Sequence, residues 1–233
     1  MTLTLTLVRH GQTTLNARRH LQGACDSPLT RTGRAGVRVT AQHLADRSFD
    51  AVYSSPQGRA VQTAAEILQH HPGHRLRIDK GLRELSFGSF ERRPEHTLDA
   101  EVPWSELVPA MLAGTHPGVG GGESGGDFMD RVRSVFARIV AAHAAPDVGA
   151  TGAGRADGKH VLVVGHGLTL AAYLWTVDPS RLAALPNASV STVEVSGGVA
   201  RVVQVGVDVA GHGAVAARPA PVPATVPAPV AAP

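Results

Sequence analysis

The chain has one cysteine, two lysines, few aromatic residues and no long apolar run, and these shortages limit the classes of protein to which it can belong. Its 233 residues include one cysteine, Cys25, and 4% aromatic residues. One cysteine cannot form an internal disulfide, which fits a reducing compartment. The absence of a run of about 18 apolar residues excludes a membrane-spanning helix. Because the N-terminus also lacks a basic leader, we expect a cytoplasmic protein with no membrane partner.

The charge of the chain argues against nucleic acid as a partner, although the pI of 9.6 is high. The basic residues are mostly arginine, and Lys80 and Lys159 are the two lysines. With so few groups that titrate at alkaline pH, a small excess of arginine raises the pI steeply. Net charge sets the long-range field, and the formal value of +3 is modest. We therefore expect no nucleic-acid partner.

Composition divides the chain into one domain and a tail. Residues 1–210 are rich enough in apolar side chains to bury one core. Residues 211–233 are mostly Ala, Pro and Val, and the spaced prolines remove backbone donors and forbid a helix. We predict that this tail is disordered. A second break, rich in Gly, Ala and Asp, predicts a surface loop over residues 146–158.

Strand and helix patterns alternate along the domain. Leu3, Leu5 and Leu7 share one face of a strand, and residues 160–164 form an apolar run typical of a strand buried on both faces. Ser55 and Pro56 predict the N-cap and first turn of a helix. The alternation predicts an α/β domain with a mainly parallel sheet covered by helices, and such sheets bind ligands beyond the carboxyl ends of their strands.

Two of the predicted strands end in a histidine followed by a glycine. One strand runs into Arg9-His10-Gly11 and the other into Gly165-His166-Gly167. A glycine leaves the neighbouring histidine open to a substrate, although a single histidine of this kind is more often structural. A metal site is the rival interpretation, because imidazole is a common ligand. No carboxylate lies at ligand spacing, and the Arg9 guanidinium would repel a cation and attract phosphate.

Two further side chains follow predicted strands. Arg59 lies in the first turns of a helix, where backbone amides also favour an anion. Its alternative interpretation is a solvated helix arginine. Glu84 is flanked by leucines, and apolar surroundings would favour its protonated form and suit it to donating a proton. Its alternative interpretation is a surface carboxylate.

Taken together, these motifs resemble those of the histidine phosphatase superfamily, the phosphoglycerate mutase-like proteins with an Arg-His-Gly motif. The resemblance covers about residues 2–205 and implies a three-layer sandwich whose central sheet is flanked by helices. Each short motif is weak evidence, whereas their common order is strong. The motifs are Val8-Arg9-His10-Gly11-Gln12-Thr13 with Asn16, Asp26-Ser27-Pro28-Leu29-Thr30 with Gly33, Ser54-Ser55-Pro56 with Arg59, Leu82-Arg83-Glu84-Leu85, Gly121-Gly122-Glu123-Ser124 and Gly165-His166-Gly167.

The resemblance implies a role for each matching residue. His10 would be the nucleophile that forms a phosphohistidine. Arg9, Arg59 and His166 would bind the phosphoryl oxygens, and Glu84 would be the proton donor and acceptor. Further substrate contacts are expected from Asn16, Gln22, Gly23, Gly167 and Leu168, with Glu123 lining the pocket mouth. Fixed positive charge would replace a metal ion, and no Gly-rich phosphate loop or zinc-ligand spacing occurs, so no metal and no cofactor is expected.

Three activities remain open at this point. A metal-independent phosphomonoesterase acting on small-molecule phosphate esters is favoured, because the segment after Glu84 is short, turns acidic after Arg92-Arg93 and contains no lysine. A cofactor-dependent phosphoglycerate mutase would need extra basic residues there. It would usually carry a tyrosine where this chain has Phe87. A non-catalytic phosphate-binding protein is the third alternative. The oligomeric state is left open between a monomer and a homodimer.

Overall fold

The computed structural model of the chain describes residues 2–144 and 158–211. The surface loop predicted over residues 146–158 therefore lies outside the described residues, apart from Gly158. The tail predicted over residues 211–233 also lies outside them, apart from Gly211. The division into a domain and a disordered tail stays a prediction.

The described residues form one six-stranded mixed sheet with helices on both faces. Its strand order is β3-β2-β4-β1-β5-β6, with β3, β2, β4 and β1 parallel and with β5 and β6 antiparallel to their neighbours. The α/β sandwich with a mainly parallel sheet is thus confirmed. The strands are β1 (Thr2–Arg9), β2 (Ala51–Ser54), β3 (Leu76–Ile78), β4 (Lys159–Gly165), β5 (Val190–Ser196) and β6 (Val199–Val207).

Helices form the two outer layers. On one face α2 packs on α3, which contacts β2 and β4; on the other, α6 and α7 pack together against β1, and α5 packs on α6. The helices of the described residues are α1 (Thr14–Ala17), α2 (Arg31–Leu44), α3 (Gly58–Leu68), α4 (Glu95–Asp99), α5 (Trp104–Leu112), α6 (Gly125–Ala144) and α7 (Gly167–Val177).

The central strand β4 shows how the sheet divides the core. Val161 and Val163 pack with the apolar face of α6, whereas Leu162 and Val164 pack with residues of α2 and α3. The prediction of a strand buried on both faces is confirmed. Burying an aliphatic side chain of this size contributes roughly 1.5–3 kcal/mol, so β4 and the residue that follows it are firmly held.

Two glycines bring α2 close to the end of β1. A Cβ atom on Gly33 would lie 2.0 Å from Gln12 O, and one on Gly11 would lie 2.5 Å from Val37 Cγ2. Larger residues at either position would push the helix away. The turn that follows His10 is therefore fixed by close backbone packing.

One helix start differs from its prediction. Helix α3 begins at Gly58 with Gln57 as its N-cap residue, so the assignment of Ser55 and Pro56 to the cap and first turn is wrong. The Ser55 hydroxyl lies 2.7 Å from His166 Nε2 instead. The local pattern assigned the Ser55 side chain to the helix start, whereas the structure places it against His166, far away in the sequence.

Candidate active site

Two histidines meet at the carboxyl ends of neighbouring parallel strands. Strand β1 pairs with β4 so that Arg9 lies opposite Gly165, and His10 and His166 follow at the same edge of the sheet. Their ring centroids are 5.2 Å apart and their planes make an angle of 61°. The structure thus brings together residues that are far apart in the sequence, as the two strand-end motifs predicted.

His10 is almost completely buried, and both ring nitrogens have partners. Nδ1 lies 2.8 Å from the Gly11 carbonyl oxygen, and Nε2 lies 3.2 Å from Arg59 Nε. Because a carbonyl only accepts and a guanidinium only donates, Nδ1 carries the proton and Nε2 presents its lone pair. Burial, reinforced by the charges of Arg59 and Arg9, lowers the pKa of His10 well below its ordinary value, which keeps the ring neutral near pH 7.

Arg59 lies in the first turn of α3 and is completely buried. Its Nε–H points at His10, and its other donors bind a loop that we call the 22–26 loop (residues Gln22–Asp26). The solvated alternative is therefore excluded. The loop acceptors are Cys25 O at 2.7 Å, Asp26 Oδ1 at 3.0 Å, Gly23 O at 2.9 Å and Gln22 O at 3.4 Å.

His166 and Arg9 each keep a buried nitrogen that the described residues leave without a hydrogen-bond partner. For His166 the atom is Nδ1, and for Arg9 it is Nε. Arg9 Nη1 donates to Leu185 O, and His166 Nε2 lies 2.7 Å from the Ser55 hydroxyl. In a neutral ring, Nδ1 is a donor when Ser55 donates to Nε2 and an acceptor when Nε2 donates to Ser55. Burial, together with the Arg59 charge, lowers the pKa of His166 well below its ordinary value.

Glu84 is held at the N-terminus of α7 by four hydrogen bonds. Oε1 accepts from Leu85 N at 3.0 Å, Thr169 N at 3.0 Å and Thr169 Oγ1 at 2.9 Å. Oε2 accepts from Leu168 N at 3.0 Å. The apolar surroundings predicted from the flanking leucines are therefore wrong, because hydrogen-bond donors and the positive end of a helix dipole surround the carboxylate. The surface alternative is also wrong, since Glu84 is 7% exposed.

Four of the residues predicted to bind substrate contact the groups just described. The Gln22 and Gly23 carbonyls accept from Arg59, the Leu168 amide donates to Glu84, and Gly167 lies against the Arg9 guanidinium. Asn16 is one step removed. Its Oδ1 caps α1 at Thr13 N and lies 3.4 Å from Asn187 Nδ2. Their contacts with a substrate stay predictions.

Glu123 makes a different set of contacts from those expected at a pocket mouth. Its carboxylate pairs with Arg131, at 2.7 Å from Nε, and with Arg83, at 3.1 Å from Nη2. Its backbone amide donates to Ser86 O. These contacts connect the start of α6 to the segment that carries Glu84, and a substrate contact for Glu123 stays a prediction.

Several residues that hold the site were not singled out from the sequence. Asn187 Nδ2 and the Ala188 amide both donate to the His10 carbonyl oxygen. Gln57 receives the Glu84 amide at its Oε1 and donates from Nε2 to Gly23 O. Gln57 follows a strand end, which is a usable signal. Asn187 follows no buried strand, and nothing in its local sequence indicates its partner.

The arrangement suits a tetrahedral oxyanion. Two arginines and two neutral imidazoles meet beside one carboxylate, and among the described residues the buried Arg9 Nε donor and the buried His166 Nδ1 have no hydrogen-bond partner. A phosphoryl group supplies three oxygens that can accept from such donors. Among the described residues, no group of three or more His, Cys, Asp or Glu side chains could hold a metal ion. None of the described helices is long and apolar enough to cross a membrane.

Comparison with protein families gives one match over most of the chain. The profile of the histidine phosphatase superfamily, branch 1, matches residues 5–208. The chain is 32% identical over 194 residues to "Probable phosphoglycerate mutase GpmB" of Yersinia enterocolitica, which covers 81% of this chain and 83% of that protein. A protein of the same name from Salmonella choleraesuis is 31% identical over 195 residues, with the same coverage of 81% and 83%.

Solved structures with the same fold include proteins named as mutases and proteins named as phosphatases. A phosphoglycerate mutase from Bacillus anthracis has a TM-score of 0.74 and 28% identity, covering 90% of this chain and 95% of that one. A mycobacterial glucosyl-3-phosphoglycerate phosphatase has a TM-score of 0.73 and 26% identity, covering 88% and 99%. The similar proteins therefore include mutases and a phosphatase.

Proposed function

The chain belongs to the histidine phosphatase superfamily, and from that premise we propose that it is a metal-independent phosphomonoesterase. It would hydrolyse small phosphate esters through a phosphohistidine on His10. The observation that carries the proposal is the fixed tautomer of His10, whose Nδ1–H faces a carbonyl and whose Nε2 lone pair faces Arg59 Nε. A neutral imidazole with its lone pair directed into an oxyanion site is a competent nucleophile.

In the proposed first step, His10 Nε2 attacks phosphorus and the ester P–O bond breaks. The phosphoryl oxygens accept hydrogen bonds from Arg59, from Arg9 Nε and, in the tautomer in which Ser55 donates to Nε2, from His166 Nδ1. The last two nitrogens have no partner among the described residues. These donors face the charge that accumulates on the oxygens in the transition state. Such fixed donors cost no reorganisation when the reaction occurs.

Glu84 would move the proton in both steps. Its Oε1 already accepts three hydrogen bonds and its Oε2 accepts one, so Oε2 is the oxygen free to carry a proton. Oε2 gives that proton to the leaving alkoxide. It then takes a proton from the water that attacks phosphorus, the P–N bond breaks, and inorganic phosphate and neutral His10 are released.

Phosphoglycerate mutase activity is the second candidate, because the similar GpmB proteins carry that name. A mutase must keep water from the phosphohistidine, and the near-complete burial of His10 is compatible with this need. Against it stands the segment after Glu84, which has no lysine and has Phe87 where mutases usually carry a tyrosine. A non-catalytic phosphate-binding protein, a cytoplasmic location and a homodimer stay predictions.

The experiment that tests the proposal incubates the protein with ³²P-labelled esters and quenches it with alkali, which preserves a P–N bond. We expect label on the peptide that contains His10 and release of inorganic phosphate. Parallel assays follow the interconversion of 2- and 3-phosphoglycerate. Phosphate release without interconversion supports the phosphatase, faster interconversion than release supports the mutase, and binding of phosphate without label or turnover contradicts both.

A further inference from the structure

Glu91 gathers backbone amides in a way that the proposed reaction does not explain. Its carboxylate is half-buried and accepts from Gly23 N at 3.1 Å, Ala24 N at 2.8 Å, Cys25 N at 3.1 Å and Phe87 N at 2.9 Å. Three successive amides pointing at one anion form a nest. Burial opposes ionisation, but the hydrogen bonds from Cys25, Phe87 and Ala24 outweigh it and lower the pKa of Glu91.

The same peptide groups face Arg59 with their opposite ends. The peptide between Gln22 and Gly23 and the peptide between Gly23 and Ala24 each accept from Arg59 at their carbonyl and donate to Glu91 at their amide. The Cys25 amide also donates to Glu91, and the Cys25 carbonyl of the next peptide also accepts from Arg59. The 22–26 loop therefore lies between a buried cation and an anion, with its peptide dipoles aligned from one to the other. Each peptide unit carries about 3.5 D, so this alignment is favourable in both directions.

Close packing leaves the loop little freedom to rearrange. A Cβ atom on Gly23 would lie 1.9 Å from Leu85 O, 2.7 Å from Glu91 Oε1 and 2.8 Å from Phe87 Cδ2. The backbone at Gly23 is thus pressed against the segment that follows Glu84. Loss of the Glu91 acceptor would leave three loop amides without their partner while this packing remains.

We propose that Glu91 is a positioning residue, which binds the amides of the 22–26 loop and thereby turns the loop carbonyls toward Arg59. The carbonyls hold both Nη groups, so the Arg59 Nε–H stays directed at His10 Nε2. When Nε2 bonds to phosphorus, that N–H loses its acceptor and lies beside the phosphoryl oxygens. The role in catalysis rests on the proposed function, whereas the hold on the loop can be measured without it.

The first test is a double-mutant cycle between Glu91 and Arg59. Glu91→Gln keeps the size of the side chain but turns an NH₂ group toward backbone amides, and we expect kcat/KM to fall about 10–100-fold. In an Arg59→Lys background the same change should cost less than about threefold, because a residue that acts through Arg59 has little left to position. Glu106→Gln, which removes one exposed charge from α5, is the matched control and should leave activity unchanged.

The second test uses Cys25, the single cysteine of the chain, as a reporter of the loop. Burial, with help from Glu91, raises the pKa of the Cys25 thiol to about 12. Glu91→Gln and Glu91→Asp should both increase the rate of alkylation by iodoacetamide by about tenfold or more as the loop loosens. Because Asp keeps the negative charge beside the thiol, the increase in Glu91→Asp reports the loop and not the lost charge. The Glu106→Gln control should react at the unmodified rate. This readout needs no turnover.

The outcomes separate the two proposals. The positioning role is supported if Glu91→Gln speeds alkylation of Cys25 and lowers kcat/KM in the unmodified protein, but lowers kcat/KM little in the Arg59→Lys background. Unchanged alkylation, or a loss that multiplies in the Arg59→Lys background, overturns it. If the unmodified protein hydrolyses no ester, the proposed function fails, and alkylation together with orthovanadate binding decides the role of Glu91. If Glu91→Gln is not folded, Glu91→Asp, whose shorter side chain cannot reach all four amides, is measured instead.

Discussion

The two strand ends at the site, after β1 and after β4, have nearly the same sequence and are held differently. Each is a buried strand followed by a histidine and a glycine. Both nitrogens of the His10 ring are engaged, whereas the described residues leave His166 Nδ1 unpaired. The same local pattern thus produces one ring whose lone pair is directed at Arg59 and another whose Nδ1 has no partner among the described residues. The difference comes from their neighbours.

Those neighbours come from distant parts of the chain. The β1 end is bracketed by the segment before β5, where Asn187 and the Ala188 amide bind the His10 carbonyl. The β4 end runs directly into α7, whose first amides bind Glu84. One strand end is therefore suited to attack and the other to holding oxygens and the proton carrier.

The largest expected effect comes from removing the ring at the β1 end. His10→Ala should lower kcat by at least about 10⁴-fold and abolish labelling, because no other group can form the covalent intermediate. His43→Ala, an exposed histidine on α2, is the control and should behave like the unmodified protein. Label appearing on the protein without His10 would contradict its role as nucleophile.

At the β4 end the loss should be smaller. His166→Ala removes one donor to the phosphoryl oxygens, so we expect kcat to fall about 10²–10³-fold while labelled phosphohistidine still forms. Rapid-quench measurement of the labelling rate distinguishes the two variants. If His166→Ala also lost all label, the two rings would not differ in role.

The proton carrier at the β4 end is tested by changing the leaving group. Glu84→Gln should lower kcat/KM for an alkyl phosphate about 10²–10³-fold but for para-nitrophenyl phosphate less than about tenfold, since nitrophenolate leaves without a proton. Steady-state kinetics on both esters measure the ratio. An equal loss of kcat/KM for the two esters would contradict a role of Glu84 as proton donor.

Acid should destabilise the fold through both rings. Burial lowers the pKa of His10 and of His166, so the unfolded chain takes up protons below about pH 6.5 that the folded chain refuses. The free energy of unfolding should then fall with decreasing pH, by up to about 1.4 kcal/mol per pH unit for each ring. Urea unfolding at several pH values measures this slope. His166→Asn should reduce the pH dependence of the free energy of unfolding. If the variant and the unmodified protein had the same slope, the His166 ring would be protonated in the folded state.

The smallest effect lies outside both strand ends. Arg92 has a φ of +66°, a backbone conformation that costs a non-glycine residue about 1 kcal/mol. Arg92→Gly should relieve this strain but also removes the hydrogen bond from Arg92 Nη2 to Asp26 O. We therefore expect the free energy of unfolding to rise by less than about 1 kcal/mol in urea denaturation. Arg93→Gly, at the adjacent residue without positive φ, should lower it by about 0.5–1 kcal/mol. The same sign for both changes would mean that backbone strain at Arg92 is not relieved by glycine.

The sequence predicted the elements and the side chains that meet at the site better than their surroundings. Apolar runs and glycines are local, so the strand ends carrying His10 and His166 could be placed from the sequence. The setting of Glu84 could not, because its donors at Leu168 and Thr169 lie 84 and 85 residues away. Ser55 was assigned to a cap for the same reason, since its partner lies 111 residues away.

The buried guanidinium of Arg59 is gripped mostly by main-chain oxygens, and this has a consequence for how the chain can diverge. Replacing the side chain of Ala24 or Cys25 deletes none of the carbonyls that face the arginine. Point substitutions at these two positions therefore leave the backbone contacts of the 22–26 loop with Arg59 in place. The position of the Arg59 guanidinium can therefore persist while the side chains of the loop that holds it change during evolution.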